Sequence, residues 1–217
     1  MAKWAPERRH DHYFRQAKQE GYRSRAAYKL QQMNERYRLI HRGDVVIDLG
    51  CAPGSWLQVA AGLAGPEGRA IGIDLQPVEP IPGVVIVQGD MLHPEAVAAL
   101  EQAMSGRRAN VVLSDMAPNT SGNRLRDHLR SMDLAQAALD FARRHLQPEG
   151  ALVIKVFEGE GLAEFLRQVR SSFAFCKPHS PSASRKESSE IYVVARGFHR
   201  QDMDISSARR ALGETVQ

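Results

Sequence analysis

Cysteine is nearly absent: Cys51 and Cys176 are the only two in 217 residues. They lie far apart without metal-ligand spacing, which excludes a disulfide framework and a zinc site, and no metal is expected. Long apolar runs are missing too. None approaches the roughly 20 residues that span a bilayer, and the opening MAKWAPERRHDHYFRQ lacks the apolar stretch of a secretory signal. The chain is expected to be cytoplasmic, with no membrane partner. Its length suits one sizeable α/β domain rather than two. An apolar content of 43% with 25% charged residues describes a globular chain.

The formal charge of +4 and the pI near 9.3 are modest, but the cations are unevenly placed. Arg8, Arg9, Arg15, Lys18, Arg23, Arg25, Lys29, Arg36, Arg38 and Arg42 crowd one segment, with Tyr13, Phe14, Tyr22, Tyr28 and Tyr37 interleaved. Cations meet phosphates and rings stack on bases, so a polyanion partner is one reading. A solvated helix face with aromatic anchors is the other, and this segment alone weighs them equally.

After this basic arm (1–23), Ser24 is placed to cap a helix through RAAYKLQQMNERY, with Ala27, Leu30, Met33 and Asn34 on one face. Strand patterns follow at 44–49, 69–74, 83–88, 110–115, 150–157 and 190–196, separated by helical patterns around 55–64, 94–105, 127–146 and 160–171. Apolar β-branched strands alternating with helices predict a doubly wound, mostly parallel α/β sheet with helices on both faces. The Ser- and Pro-rich stretch 177–190 reads as a loop. One domain is expected over 24–197, and the tail 198–217, without a regular pattern, is read as disordered.

Such sheets bind ligands outside the carboxyl ends of their strands, and here those ends are acidic: Asp48, Asp74, Asp90 just past the third, and Asp115. The turn Gly50-Cys51-Ala52-Pro53-Gly54 lacks the G-x-G-x-x-G of a dinucleotide site, which disfavours a nicotinamide-dependent reductase. A carboxylate at Asp48 repels phosphate and attracts an amine or sulfonium, pointing to S-adenosylmethionine. Asp74 is spaced from Gly54 to accept from ribose hydroxyls. Cys51, with no basic neighbour in sequence, reads as packing and not as a nucleophile.

The segments RSRAAYKL, DLGCAPGSW, QGD, SDMAPN, IKVFEGEG and SSEIYVVA, in this order, resemble the FtsJ/RrmJ family of large-subunit ribosomal RNA methyltransferases over roughly residues 12–197. The resemblance implies a Rossmann-like S-adenosylmethionine-dependent methyltransferase fold with seven strands, the last antiparallel. It also implies 2′-O-methylation of a uridine in the A-loop of 23S rRNA, within the large ribosomal subunit, by a monomer. It makes Gly54, Trp56, Asp74, Asp90 and Asp115 cofactor contacts alongside Asp48 and Gly50, with the Trp56 ring edge beside the adenine. It makes Lys29, Asp115, Lys155 and Glu190 a catalytic tetrad. The turn departs from the family, which more often has a further alanine and glycine, but Cys51 and Ser55 are small and the pocket is expected to survive.

Methyl transfer to a ribose oxygen needs that oxygen aligned and its proton removed. Lys155, a cation in the apolar strand LVIKVF, is the candidate base; alternatively it orients the hydroxyl and steadies developing charge. Arg8, Arg9, Arg23, Arg25, Arg185 and Lys186 are expected to meet RNA phosphates. The tetrad specifies the reaction and not the RNA, so another RNA such as transfer RNA stays open, as does a non-catalytic RNA-binding assembly factor. SDMAPN lacks the second proline and stacking aromatic of amino-methylating enzymes, which ranks base N-methylation lower.

Overall fold

Runs of Val, Ile and Leu too short for helices and too apolar for an exposed face form strands buried on both sides. In the computed structural model, which describes residues 12–118, 122, 124–184 and 189–199, they assemble one seven-stranded sheet. Its strands are β1 (Val45–Leu49), β2 (Arg69–Asp74), β3 (Val84–Gln88), β4 (Ala109–Ser114), β5 (Leu146–Phe157), β6 (Phe173–His179) and β7 (Glu190–Phe198). The helices are α1 (His12–Gln19), α2 (Ala26–Tyr37), α3 (Ser55–Ala64), α4 (Pro94–Met104), α5 (Arg124–His145) and α6 (Leu162–Arg170). The order is β3-β2-β1-β4-β5-β7-β6, parallel throughout except that β7 runs antiparallel to both neighbours.

Alternation along the strands divides the core. Val45, Ile47, Leu49, Ile154 and Val193 pack against the face covered by α4, α5 and α6. Val46, Val153, Tyr192 and Val194 pack on the face covered by α2 and α3. With a side-chain period of two, Asp48, Lys155 and Glu190 share parity with this second set. Among the described residues no helix is long and apolar enough to cross a membrane.

Four features depart from the sequence expectation. β6 is missing from the strand patterns of the sequence, and its last three positions fall in the Ser- and Pro-rich stretch 177–190 that reads as loop. It pairs only with β7, and an edge strand tolerates a proline that lacks an N–H. Inside the basic arm, α1 forms and buries Ala17, with Tyr13, Tyr22 and Tyr28 packed around it. Ser24 stands one residue before the N-cap, Arg25, yet its hydroxyl still accepts the Ala26 N–H at 3.2 Å. At the other end, Phe198 closes β7 and the His199 N–H reaches Ser172 O at 3.0 Å; the rest of the expected tail, 200–217, lies outside the described residues.

Candidate active site

The turn after β1 is built tightly. Gly50 has φ +76°, a conformation costly for side chains, and a Cβ there would run into Met116. The Gly50 and Cys51 N–H groups both reach Ile73 O, at 2.9 and 3.1 Å, so the turn leans on the end of β2. Asp74, ending β2, accepts the Ala52 N–H at 2.8 Å on one oxygen and the Gln76 N–H at 2.8 Å on the other. Each oxygen retains acceptor capacity. Cys51 packs over Gly72, and burial, with Asp48 and Asp74 nearby, pushes its thiol up. A thiol so placed is a packing group.

Asp48 is 1% exposed, and neither carboxylate oxygen has a hydrogen-bond partner among the described residues. Burial, then Asp115 and Asp74, push its carboxyl well above the ordinary range. An unpaired buried carboxylate is costly, and a cation brought beside it restores the ionised form. The site thus fits a cationic cofactor group at this strand end.

Beside it, the sheet register assembles a chain of alternating charge. Lys155 stands opposite Tyr192 across the β5–β7 ladder, and Glu190 is two residues before Tyr192 on the same face. Lys155 Nζ lies 3.1 Å from Asp115 Oδ1 and also donates to the Asp115 carbonyl oxygen. The Tyr192 hydroxyl donates to Asp115 Oδ1 at 2.6 Å and accepts from Lys29 Nζ at 3.0 Å. Lys29, reaching down from α2, pairs in turn with Glu190. Burial, Asp115 and Glu190 all push the Tyr192 phenol up, keeping it a neutral link. All four expected tetrad residues therefore meet in one connected arrangement. Tyr192, which sequence reasoning passed over, joins its two halves. The signal was present in SSEIYVVA, where the tyrosine shares parity with Glu190.

Other expected residues are placed differently. The Trp56 indole does not line an open pocket: it is 3% exposed, donates to Ala26 O at 2.8 Å and packs on Tyr192 at 5.7 Å between ring centres. What position 56 offers a ligand is the first turn of α3. Asp90 shapes its own turn, accepting the Leu92 N–H at 2.9 Å, and lies 3.6 Å from His93. Arg23, expected on phosphate, donates from its two terminal nitrogens to Pro53 O at 2.9 Å and Pro80 O at 3.0 Å. It staples the glycine turn to the segment after β2, beneath which Val78 and Ile81 close over Gly54. Arg25 is half-buried at the N-cap of α2. Arg8, Arg9, Arg185 and Lys186 lie outside the described residues.

Comparison with known proteins adds family and fold. The model of the FtsJ-like methyltransferase family matches residues 22–198. A Ribosomal RNA large subunit methyltransferase E from Methanosarcina acetivorans is 48% identical over 190 residues, 88% of this chain and 69% of that protein. One of the same description from Alkalilimnicola ehrlichii is 48% identical over 196 residues, covering 90% and 94%. The crystal structure of a ribosomal RNA methyltransferase from Plasmodium falciparum superposes with TM-score 0.74 at 28% identity, over 82% of this chain and 98% of that one. An rRNA-methylase from Clostridium thermocellum shares the fold, with TM-score 0.54 at 17% identity over 78% and 96%.

Proposed function

The chain belongs to the FtsJ-like methyltransferase family, and from that premise we propose that it is a ribosomal RNA methyltransferase using S-adenosylmethionine. Its acceptor, in this reading, is the ribose 2′-hydroxyl of a uridine in the A-loop of 23S rRNA. It works as a cytoplasmic monomer on RNA within the large subunit. The observation that carries the reading is the juxtaposition of an unpaired buried carboxylate, Asp48, with an amine held on Asp115 at the ends of the central strands.

When bound, S-adenosylmethionine supplies a methyl group already activated on sulfonium. Asp48 would hold its positive charge. Gly50 and Gly54 leave the two ends of the turn without side chains, the remaining acceptor capacity of Asp74 suits ribose hydroxyls, and Asp90, Asp115 and the backbone at Trp56 would complete the cofactor contacts. Lys155 has three N–H directions and two point to Asp115, which leaves one for the acceptor oxygen. As the free amine it takes the hydroxyl proton; as ammonium it steadies charge developing on that oxygen. Lys29, Tyr192 and Glu190 hold Asp115 from behind, fixing the direction of the amine.

The test is transfer of labelled methyl to large subunits from cells lacking the protein, with nuclease mapping and Lys155→Ala as control. Label on one ribose, lost in the variant, is expected. Cofactor binding without labelling of subunits, free ribosomal RNA or transfer RNA would remove the substrate assignment.

A further inference from the structure

The far end of the sheet carries a second concentration of positive charge that the proposed active site does not use. Arg107 and Arg108 lead into β4, and Arg144 and His145 close α5; with Glu101 of α4 they line a pocket of about 250 Å³. Each guanidinium is fixed by backbone carbonyls. Arg107 donates to Gly43 O at 3.1 Å, Arg108 to Arg144 O and Leu146 O at 3.0 and 3.1 Å, and Arg144 to Asp140 O at 3.2 Å.

Capping carbonyls at helix ends is a sufficient task for an arginine, but it leaves these three with charge to spare. A guanidinium has five N–H donors, and here one nitrogen of each is engaged. Among the described residues none of the three is ion-paired. The pocket's one carboxylate, Glu101, lies 3.2 Å from His145 Nε2. Burial holds His145 below its ordinary range, with Arg144 and Arg108 pushing the same way against Glu101, so it adds no charge at neutral pH. Three preset cations face one anion. Immobilised forks with spare donors match the oxygens of phosphate.

We infer that this pocket holds a backbone phosphate of the RNA substrate, gripping it at the end of the sheet opposite the reacting ribose. From Arg108 to Asp115 the strand spans roughly 20 Å, a distance that an extended RNA covers and a mononucleotide does not. The three arginines are exposed, and no Phe, Tyr or Trp lines the pocket to stack a base. The contact therefore reads phosphate and not sequence. This inference rests on the RNA reading above.

The experiment measures binding of the full chain to a transcribed large-subunit RNA fragment between 50 and 200 mM salt, with cofactor affinity and melting temperature alongside. Arg107→Gln with Arg144→Gln is expected to lower the slope of log K against log salt by about one, the value of one phosphate contact. Arg107→Lys with Arg144→Lys keeps the slope. Glu101→Gln steepens it, and carries the test alone if the glutamine pair melts early. A wild-type slope in the glutamine pair, or in Glu101→Gln should that pair unfold, overturns the pocket while leaving methyl transfer standing. Salt-insensitive binding by the wild type together with no methylation overturns both.

Discussion

Tyr192 and Lys155 stand opposite each other on β7 and β5 and converge on one oxygen, Oδ1 of Asp115, at 2.6 and 3.1 Å. A neutral donor and a cationic donor sharing one acceptor fix it more firmly than either alone, because moving the carboxylate breaks both bonds. The Lys155 amine is thereby aimed by a buried hydroxyl.

Lys155→Met should remove transfer while sparing cofactor binding. A positioned acid–base group contributes typically about 10²–10⁴-fold to rate, so single-turnover labelling should fall within that range while calorimetric titration of S-adenosylmethionine changes little. Equal losses in both measurements would make Lys155 a cofactor ligand instead.

Tyr192→Phe keeps the ring against Trp56 and deletes the link between Lys29 and Asp115. Leaving a buried donor and acceptor short of a partner costs about 1–3 kcal/mol, read as a lower midpoint in urea. The phenols of Tyr192 and Tyr28, the latter pushed up to about 12 by burial and by Glu20, both titrate higher in the fold than unfolded. The stability this gives is whole below about pH 10 and is lost as pH rises toward 12 and beyond. Tyr192→Phe should flatten part of that alkaline loss in melting curves.

Asp48→Asn should stabilise the cofactor-free protein and weaken the complex. With its folded pKa raised, Asp48 favours the fold below its unfolded pKa of about 3.8, and that contribution disappears as pH rises through the folded value. At neutral pH it is a cost. The variant should therefore melt higher than wild type at pH 7, by roughly 2–4 °C per kcal/mol gained, with cofactor affinity at least about tenfold lower. Wild-type affinity should rise with pH as Asp48 ionises. A variant that melts lower and binds normally would make Asp48 a structural residue.

Arg23→Gln should act on the cofactor and not on RNA. Two carbonyl bonds hold the glycine turn to the segment after β2, and at about 0.5–1.5 kcal/mol each their loss should raise the cofactor dissociation constant severalfold. The salt slope of RNA binding should stay at its wild-type value. A reduced slope with unchanged cofactor affinity would restore Arg23 to the phosphate contacts.

Much of this was legible in the chain, for reasons that also explain the exceptions. Val45–Leu49 and Leu152–Val156 are apolar on both faces, so central strands announce themselves, and polar residues that end them become conspicuous. β6 gives no such signal because an edge strand exposes one rim and four of its seven positions are exposed. α1 is polar over most of its length and buries only Ala17, so nothing in its pattern marked it. Nothing local in the chain draws Lys29 and Glu190 together, since they meet each other, and Lys29 meets a tyrosine, only across the site. The Trp56 and Arg23 partners lie 30 or more residues away, at Ala26, Pro53 and Pro80, beyond the reach of local periodicity.

The reversal of β7 also sets an order in time. Glu190 and Lys29 are separated by 161 positions, whereas Asp48, Asp74 and Asp115 all precede β5. As the protein emerges from a ribosome, Asp48, Asp74 and Asp115 are made long before the carboxylate that pairs with Lys29 and the tyrosine that steadies Asp115. An unfinished polypeptide therefore has Lys29 and Asp115 but not the tyrosine between them, and the links that join the two arrive only with the last strand.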